Sequence, residues 1–281
     1  MAKPYSFVEF IEYRPYRKEK SEEKLSGVIP ITLEVITPLH VGSGHKELAP
    51  EGLIYNAFYK WNDTYAIPGS TIKGCIRSIA ESISHSCLRV QHKDEKTKKP
   101  LMTSVNKEER NGTCIVCDVF GSMKIKGKVN FGQLLYVQGE QHISNLPNLK
   151  ETTMLEGGKL WAYKFYHHGK HVKVGNMPHE VMKEKTIFKG KISYMNLTEE
   201  ELMLLCFSLG LSGDIQPKLG YGKPGYYGSV KISSEVEEYA QWAAKYKEHP
   251  DQEIQRAITD LTQILNYDFA KVKSDWIDDT Y

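Results

Sequence analysis

The apolar residues of this chain switch between two periods in an order that restricts the fold more than any other feature. In Gly27 to Thr37 (GVIPITLEVIT) the alternate positions Ile29, Ile31, Leu33 and Val35 are apolar, the period of a strand with one buried face. Ile72, Cys75, Ile76, Ile79, Ala80 and Ile83 then recur at helical spacing. Ser70 or Thr71 is placed to cap that helix, and Lys73 and Arg77, four residues apart, fall together on its polar side. Lys128 to Val137 and Thr186 to Tyr194 read as strands. Thr198 followed by Glu201 is a capping box that opens a second helix through Leu202, Leu205, Cys206 and Leu209, stopped by Gly210. Val230 to Ile232 is the last strand. Strand, helix, strand, strand, helix, strand is the split βαβ order of an α+β, ferredoxin-like (RRM-like) palm, an antiparallel sheet with both helices on one face. The open face of such a sheet is a platform that RNA-binding modules use. Many unrelated proteins share the arrangement, so function has to be argued from sites.

Around this frame lie two insertions and a tail. Residues 89–112 are polar, lysine-rich and interrupted by Pro100, and define an inserted zinc-bound or thumb-like module over about 85–120. A second, basic insertion rich in Gly and His covers about 140–185. Residues 1–233 are therefore read as one domain and 234–281 as an acidic helical tail in two pieces, broken at His249-Pro250. That tail has 11 acidic and 5 basic side chains, which leaves the first 234 residues at +8 although the whole chain is only +2. Lys159 to Lys191 alone holds 8 lysines against Glu180 and Glu184, with four histidines. A basic body suits a polyanion partner, and an acidic tail suits solvent or a protein. The longest apolar runs, such as Leu202 to Leu209, are too short to cross a bilayer, and MAKPYSFVEFIEY lacks the parts of a signal peptide. The expectation is a cytoplasmic protein without a membrane partner, its five cysteines reduced.

Cys114-Ile-Val-Cys117 has the gap that lets two sulfurs reach one ion. Cys87 upstream, with His85 or His92, would complete a structural zinc site that staples an insertion poor in apolar residues. The same spacing also serves a redox pair, or two small buried hydrophobes. Cys75 and Cys206 fall on helix core faces and are structural. The start of the Ile72 helix, preceded by Pro68-Gly69-Ser70, offers free backbone N–H groups to a phosphate, with Lys73 and Arg77 near by. An ordinary capped helix with two solvated cations is the plainer reading. P-loop, Ser-His-Asp and HExxH patterns are absent.

Four segments occur in a telling order: Thr37-Pro-Leu-His-Val-Gly-Ser-Gly44; Ile67-Pro-Gly-Ser-Thr-Ile-Lys-Gly-Cys-Ile-Arg77; Val119-Phe-Gly-Ser122 with Gly127-Lys-Val-Asn-Phe131; and Leu219-Gly-Tyr-Gly-Lys-Pro-Gly-Tyr-Tyr-Gly228. Together they resemble the RAMP superfamily, and within it the backbone subunits of type III CRISPR effector complexes; Trp161 to His168 is similar to a segment of some of these. The resemblance covers about residues 27–232. It implies a subunit that binds guide RNA along its phosphates, stands beside other RAMP subunits, and presents the guide to target RNA in antiviral defence. It also implies phosphate contacts by Ser70, Lys73 and Arg77. Close backbone approach would come from Phe120, Gly121 and Ser122, from Gly220, Gly222 and Lys223, and from the turn His40, Gly42, Ser43 and Gly44, with Lys164 as a further contact. Tyr221, Tyr226 and Tyr227 are placed either to stack on bases or to pack. Some relatives cut target RNA with an aspartate in the loop between the Gly-Ser-Gly turn and the helix. Here that loop has Glu47 and Glu51, and the next aspartate is Asp63, so these three are the catalytic candidates and an RNA-cutting subunit stays open as an alternative. His40 and His45, or His167, His168 and His171 among their lysines, are further acid–base candidates. A general single-stranded RNA-binding module is the third reading.

Overall fold

The computed structural model describes residues 4–16, 23–87, 113–122, 125–146, 155–156, 159–160, 162–171 and 175–270. The polar stretch 89–112, His92 within it, lies outside the described residues. The first strands are β1 (Tyr5–Glu9), β2 (Leu25–Val35), β3 (Gly42–Leu48), β4 (Ile54–Phe58), β5 (Lys60–Trp61) and β6 (Thr64–Ile67), followed by helices α1 (Gly69–Ser82) and α2 (Ile115–Phe120). Then come β7 (Val129–Phe131), β8 (Leu134–Gln138), β9 (Gln141–Leu146), β10 (Leu155–Glu156), β11 (Lys159–Leu160), β12 (Ala162–Tyr166), β13 (Met177–Met182) and β14 (Ile187–Leu197). The chain continues through α3 (Glu199–Ser208), β15 (Val230–Ser233), α4 (Glu237–Lys247) and α5 (Gln252–Leu265).

The main sheet has the order β15-β2-β14-β8-β6-β5, with β7 also paired to β14. Its pairings are antiparallel. β2 and β8, joined through α1, therefore flank β14, and α3 returns the chain to β15 beside β2. The mixed α+β class follows from the two periods in the sequence. Ile29, Ile31, Leu33 and Val35 are all 2% exposed or less, each worth about 1.5–3 kcal/mol of burial. Ile72, Ile76, Ile79 and Ala80 of α1 join the same core, and α1 packs on α3. The capping box at Thr198 is complete: its hydroxyl accepts from Glu201 N, and Glu201 accepts from Thr198 N at 2.9 Å. Glu201 has a second task. Its buried carboxylate meets Lys128 Nζ at 2.6 Å, and the same ammonium lies 2.6 Å from Asp118, so one lysine ties α2 and the approach to β7 to the start of α3. Burial, and the hydrogen bond with Asp118, push the Glu201 carboxyl up to about 7.

Several expectations are corrected. α1 begins at Gly69 with Pro68 at the N-cap, so neither Ser70 nor Thr71 caps it. A Cβ on Gly69 would lie 2.0 Å from Phe131 O, so the helix start is pressed onto the β7 backbone where only glycine fits. The strand expected over 128–137 is two, β7 and β8, parted where Gly132 N donates to Lys191 O at 3.0 Å. The basic stretch 140–185 contains strands: β13 pairs with β9 and β4 to give a second sheet, β3-β4-β13-β9. β1, which the sequence pattern did not suggest, pairs with β12. The tail is docked. Tyr239, Ala243 and Tyr246 of α4, and Ile254, Ala257, Ile258, Leu261, Ile264 and Leu265 of α5, are buried in the main core. Among the described residues, no helix is long and apolar enough to cross a membrane.

Candidate nucleic-acid interface and metal centre

The first and last of the four motifs are zipped together through their backbones. The Thr37 hydroxyl donates to Tyr226 O at 2.8 Å and accepts from Ser229 N at 2.9 Å. Gly228 N donates to Pro38 O at 2.9 Å, and Tyr221 N to His40 O at 3.0 Å. Gly220 has φ +74°, and a Cβ there would lie 2.1 Å from His40 O, so the loop closes onto the turn only without a side chain at this position. The other motifs join the same seam. Cys75 of α1 donates its thiol to Lys218 O at 3.3 Å, just before the glycine-rich loop. Arg77 donates to Gly121 O at 2.5 Å, binding the helix to the Val119–Ser122 turn.

Within this seam Ser70, Gly42, Gly44 and Ser122 are exposed, and Lys73, Lys223, Ser43 and Gly220 are half-buried. Ser43 holds its own turn, donating to Ala57 O at 3.1 Å and accepting from His45 N at 3.0 Å. Gly121 and Gly222 are buried. Lys164 lies on β12, its ammonium 3.9 Å from the centroid of the Tyr5 ring.

Three residues of the expected interface have buried, partnered side chains. Arg77 is 4% exposed and pairs with Glu81 at 2.7 Å, so it does not share an open face with Lys73. One turn beyond Lys73, the α1 surface is covered by α2 and the turn after it. Phe120 is 2% exposed, its ring stacked on Phe131 at 6.0 Å. His40 is 3% exposed, with Nδ1 2.6 Å from Glu180 O. Burial pushes its pKa down to about 4. Of the three tyrosines, Tyr226 and Tyr227 are buried. Tyr221 is half-buried and stacks on the His179 ring at 5.0 Å, itself edge-on to His40.

The acid–base candidates do not converge. Glu47 accepts from Tyr55 OH at 2.8 Å on the β3–β4 hairpin, Glu51 is exposed in its turn, and Asp63 occupies the separate β5–β6 turn at φ +61°. His168 is fully buried between Ser229 Oγ at 2.8 Å and Leu265 O at 3.0 Å, and burial takes its pKa down to about 3. It clamps the tail to the glycine-rich segment. His167 meets Ser6, and His171 meets Glu184. Sequence reading missed Thr37 as the clasp, the buried Lys218 whose ammonium donates to His167 O at 3.1 Å, and the buried Glu180, which accepts from Phe58 N and Tyr65 OH. None of these has a spacing signal, because the partners named lie 51 or more residues away along the chain.

Cys87, Cys114 and Cys117 do come together and can hold a metal ion. Their sulfurs are 3.3 Å (Cys87–Cys117) and 3.6 Å (Cys87–Cys114) apart, and none is in a disulfide. A tetrahedral site with metal–sulfur bonds of about 2.3 Å has sulfurs roughly 3.8 Å apart, so a small opening fits the donor set. Hydrogen bonds from the thiols of Cys117 and Cys87 hold the Cys114 thiol well below the ordinary range. At the α2 start Cys117 N donates to the same sulfur at 3.3 Å. His85 is not the fourth donor expected: Nδ1 is 2.6 Å from Glu12 O and Nε2 3.0 Å from Asp251, so it groups with Asp251 and Glu253. The helix end that carries His85 is used to fasten the tail.

The fold is mixed α+β, and the glycine-lined seam with half-buried Lys73 and Lys223 is its candidate nucleic-acid interface. The RAMP superfamily matches residues 32–254, and the chain belongs to that superfamily. The family is CRISPR-associated and binds RNA. The match runs past the 27–232 span of the motifs and into α5. No curated protein matches the chain.

Proposed function

We propose that this chain is a backbone subunit of a type III CRISPR effector, binding guide RNA along its phosphates and helping present it to target RNA in cytoplasmic antiviral defence, beside other RAMP subunits. One observation carries the reading: four motifs spread over residues 37–228 close on a single seam in which backbone groups face backbone groups and Lys73 and Lys223 stand at the rim. A seam of this kind grips phosphates irrespective of sequence and leaves specificity to base pairing. The sheet order, in which β2 and β8 flank β14 and β15 lies outside β2, supports a ferredoxin-like palm. We read the three thiols as ligands of one structural zinc ion. When bound, zinc would fasten Cys87, at the start of the polar insertion, to the Cys114–Cys117 turn at its end. This chain's own residues prepare the site: Arg77 NH2 approaches Cys117 Sγ at 3.5 Å and balances thiolate charge.

Guide RNA of uniform length should copurify with the expressed protein. The double substitution Lys73→Ala, Lys223→Ala should weaken binding about equally for all single-stranded sequences. The slope of log affinity against log salt should flatten by roughly 1.4, two phosphate contacts at about 0.7 each. An unchanged slope would remove both lysines from the interface.

A further inference from the structure

The two faces of the main sheet are used differently. Ile29, Ile31, Leu33 and Val35 of β2 point into the core with α1 and α3, and so do Ile192 of β14 and Ile232 of β15, which stand opposite Ile29 and Leu33. The alternate residues face outward, and the register lays them out in rows across three strands. Lys231 of β15 stands opposite Glu34, while Lys189 of β14 stands opposite Thr32 and Lys191 opposite Pro30. All three lysines are exposed, and among the described residues none of their side chains makes an ion pair or a hydrogen bond. Lys189 and Lys191 are roughly 7 Å apart along β14, and Lys231 lies two strands, roughly 10 Å, across from them.

These rows begin at the seam. β15 starts directly after Ser229, whose N–H donates to the Thr37 hydroxyl, and β2 ends at Val35, just before Thr37. Lys231 is the lysine nearest that end, and Lys189 and Lys191 follow at increasing distance from it. Charge and side-chain type say what the face can hold. Against three ammonium groups the rows place one carboxylate, Glu34, so the face carries positive charge that nothing on it balances. Val28 on β2 and Leu135 on β8, exposed apolar residues of this face, are separated by Lys189, Lys191 and Ser193 of β14, so no apolar patch runs across it to seat a protein. No aromatic ring stands in these rows, so a base finds no stacking partner there while a phosphate finds a cation.

We propose that the outer face of the main sheet is a phosphate track for single-stranded RNA, on which Lys231, Lys189 and Lys191 in turn hold phosphates of a strand that leaves the seam beside Ser229. The track rests on the RNA-binding reading above and extends it to a second stretch of the same strand.

The test measures binding of labelled oligouridylates of increasing length to the full chain. Affinity should rise in two stages, the first filled by the seam and the second by the sheet face. The triple substitution Lys189→Gln, Lys191→Gln, Lys231→Gln should leave the first stage as it is and remove the second. For the longest probe the slope of log affinity against log salt should flatten by roughly 2.1, three phosphate contacts at about 0.7 each. Lys189→Arg, Lys191→Arg, Lys231→Arg keeps the charges and should keep the second stage, which a merely structural role for the lysines would not require. An abasic ribose-phosphate series should show the second stage as fully as oligouridylate does. A wild-type series with a single stage, a glutamine variant that matches wild type at every length, or one that loses both stages equally overturns the track and leaves the RNA-binding reading standing. A second stage confined to base-bearing probes overturns it as well. Wild-type protein that binds no probe of any length overturns both.

Discussion

Replacing Arg77 with methionine separates a structural arginine from an RNA-binding one. The guanidinium makes three contacts: Glu81 at 2.7 Å, Gly121 O at 2.5 Å and Cys117 Sγ at 3.5 Å. Glu81 is 7% exposed, so methionine leaves a buried carboxylate without its counter-charge and takes a donor from the Gly121 carbonyl. Breaking one half of a buried ion pair costs about 3–5 kcal/mol. That is a large part of the roughly 5–15 kcal/mol that holds a native domain together. At about 2–4 °C per kcal/mol for a chain of this size, the thermal midpoint should fall by roughly 6–20 °C. The companion variant Arg77→Met, Glu81→Met removes both charges and should recover most of the loss, because two apolar side chains of similar volume satisfy a buried site about as well as the pair. The assay is thermal or denaturant unfolding of wild type, both single variants and the double variant, read as a cycle. A single Arg77→Met variant as stable as wild type, with a flattened salt dependence of RNA binding, would refute this reasoning and return Arg77 to the phosphate-contact role that its spacing from Lys73 suggests.

Two further outcomes follow from the site chemistry. Metal analysis should find about one zinc ion per chain, lost in the Cys114→Ser, Cys117→Ser variant together with part of the thermal stability; wild-type protein that is metal-free and indifferent to chelators would exclude the ion. Acid should destabilise the fold through His40 and His168, whose folded pKa values lie near 4 and 3 against about 6.5 when unfolded. Above pH 6.5 neither contributes, and as pH falls below it the unfolded chain takes protons that the fold refuses, at about 1.4 kcal/mol per pH unit per group. Glu201, raised to about 7, works in the opposite sense, losing stability as pH rises from about 4.5 to 7. The two histidines outweigh it, so the denaturant midpoint should drop from pH 6.5 to 5, less steeply in His168→Gln; an equal drop in that variant would show that His168 is not the cause.

Local periodicity settled three elements of the main core: the Ile29–Val35 alternation, the helical stripe from Ile72 and the Thr198–Glu201 capping box are each written within a few turns or one strand, and each is where it was expected. The Cys114–Cys117 spacing likewise marked the metal-type cluster, because two thiols one helical turn apart meet whatever surrounds them. What spacing cannot convey is which side of an element is covered by a distant one. Lys73 and Arg77 are equally polar in sequence, yet α2 and its following turn cover only Arg77, and Glu81 then makes it a buried ion pair. His85 was within reach of the cysteines along the chain until α5 brought Asp251 to its other nitrogen. His40 and Phe120, inside motifs that suit RNA, are buried and partnered because Glu180 and Phe131 arrive from other strands. Lys189, Lys191 and Lys231 come to one face only because β14 and β15 both pair with β2 in their particular registers. Sequence alone thus determined what is local, the periods and the caps. Burial, ion pairing and the shared faces were decided by tertiary contacts, since each depends on the desolvation that a partner from elsewhere in the chain imposes.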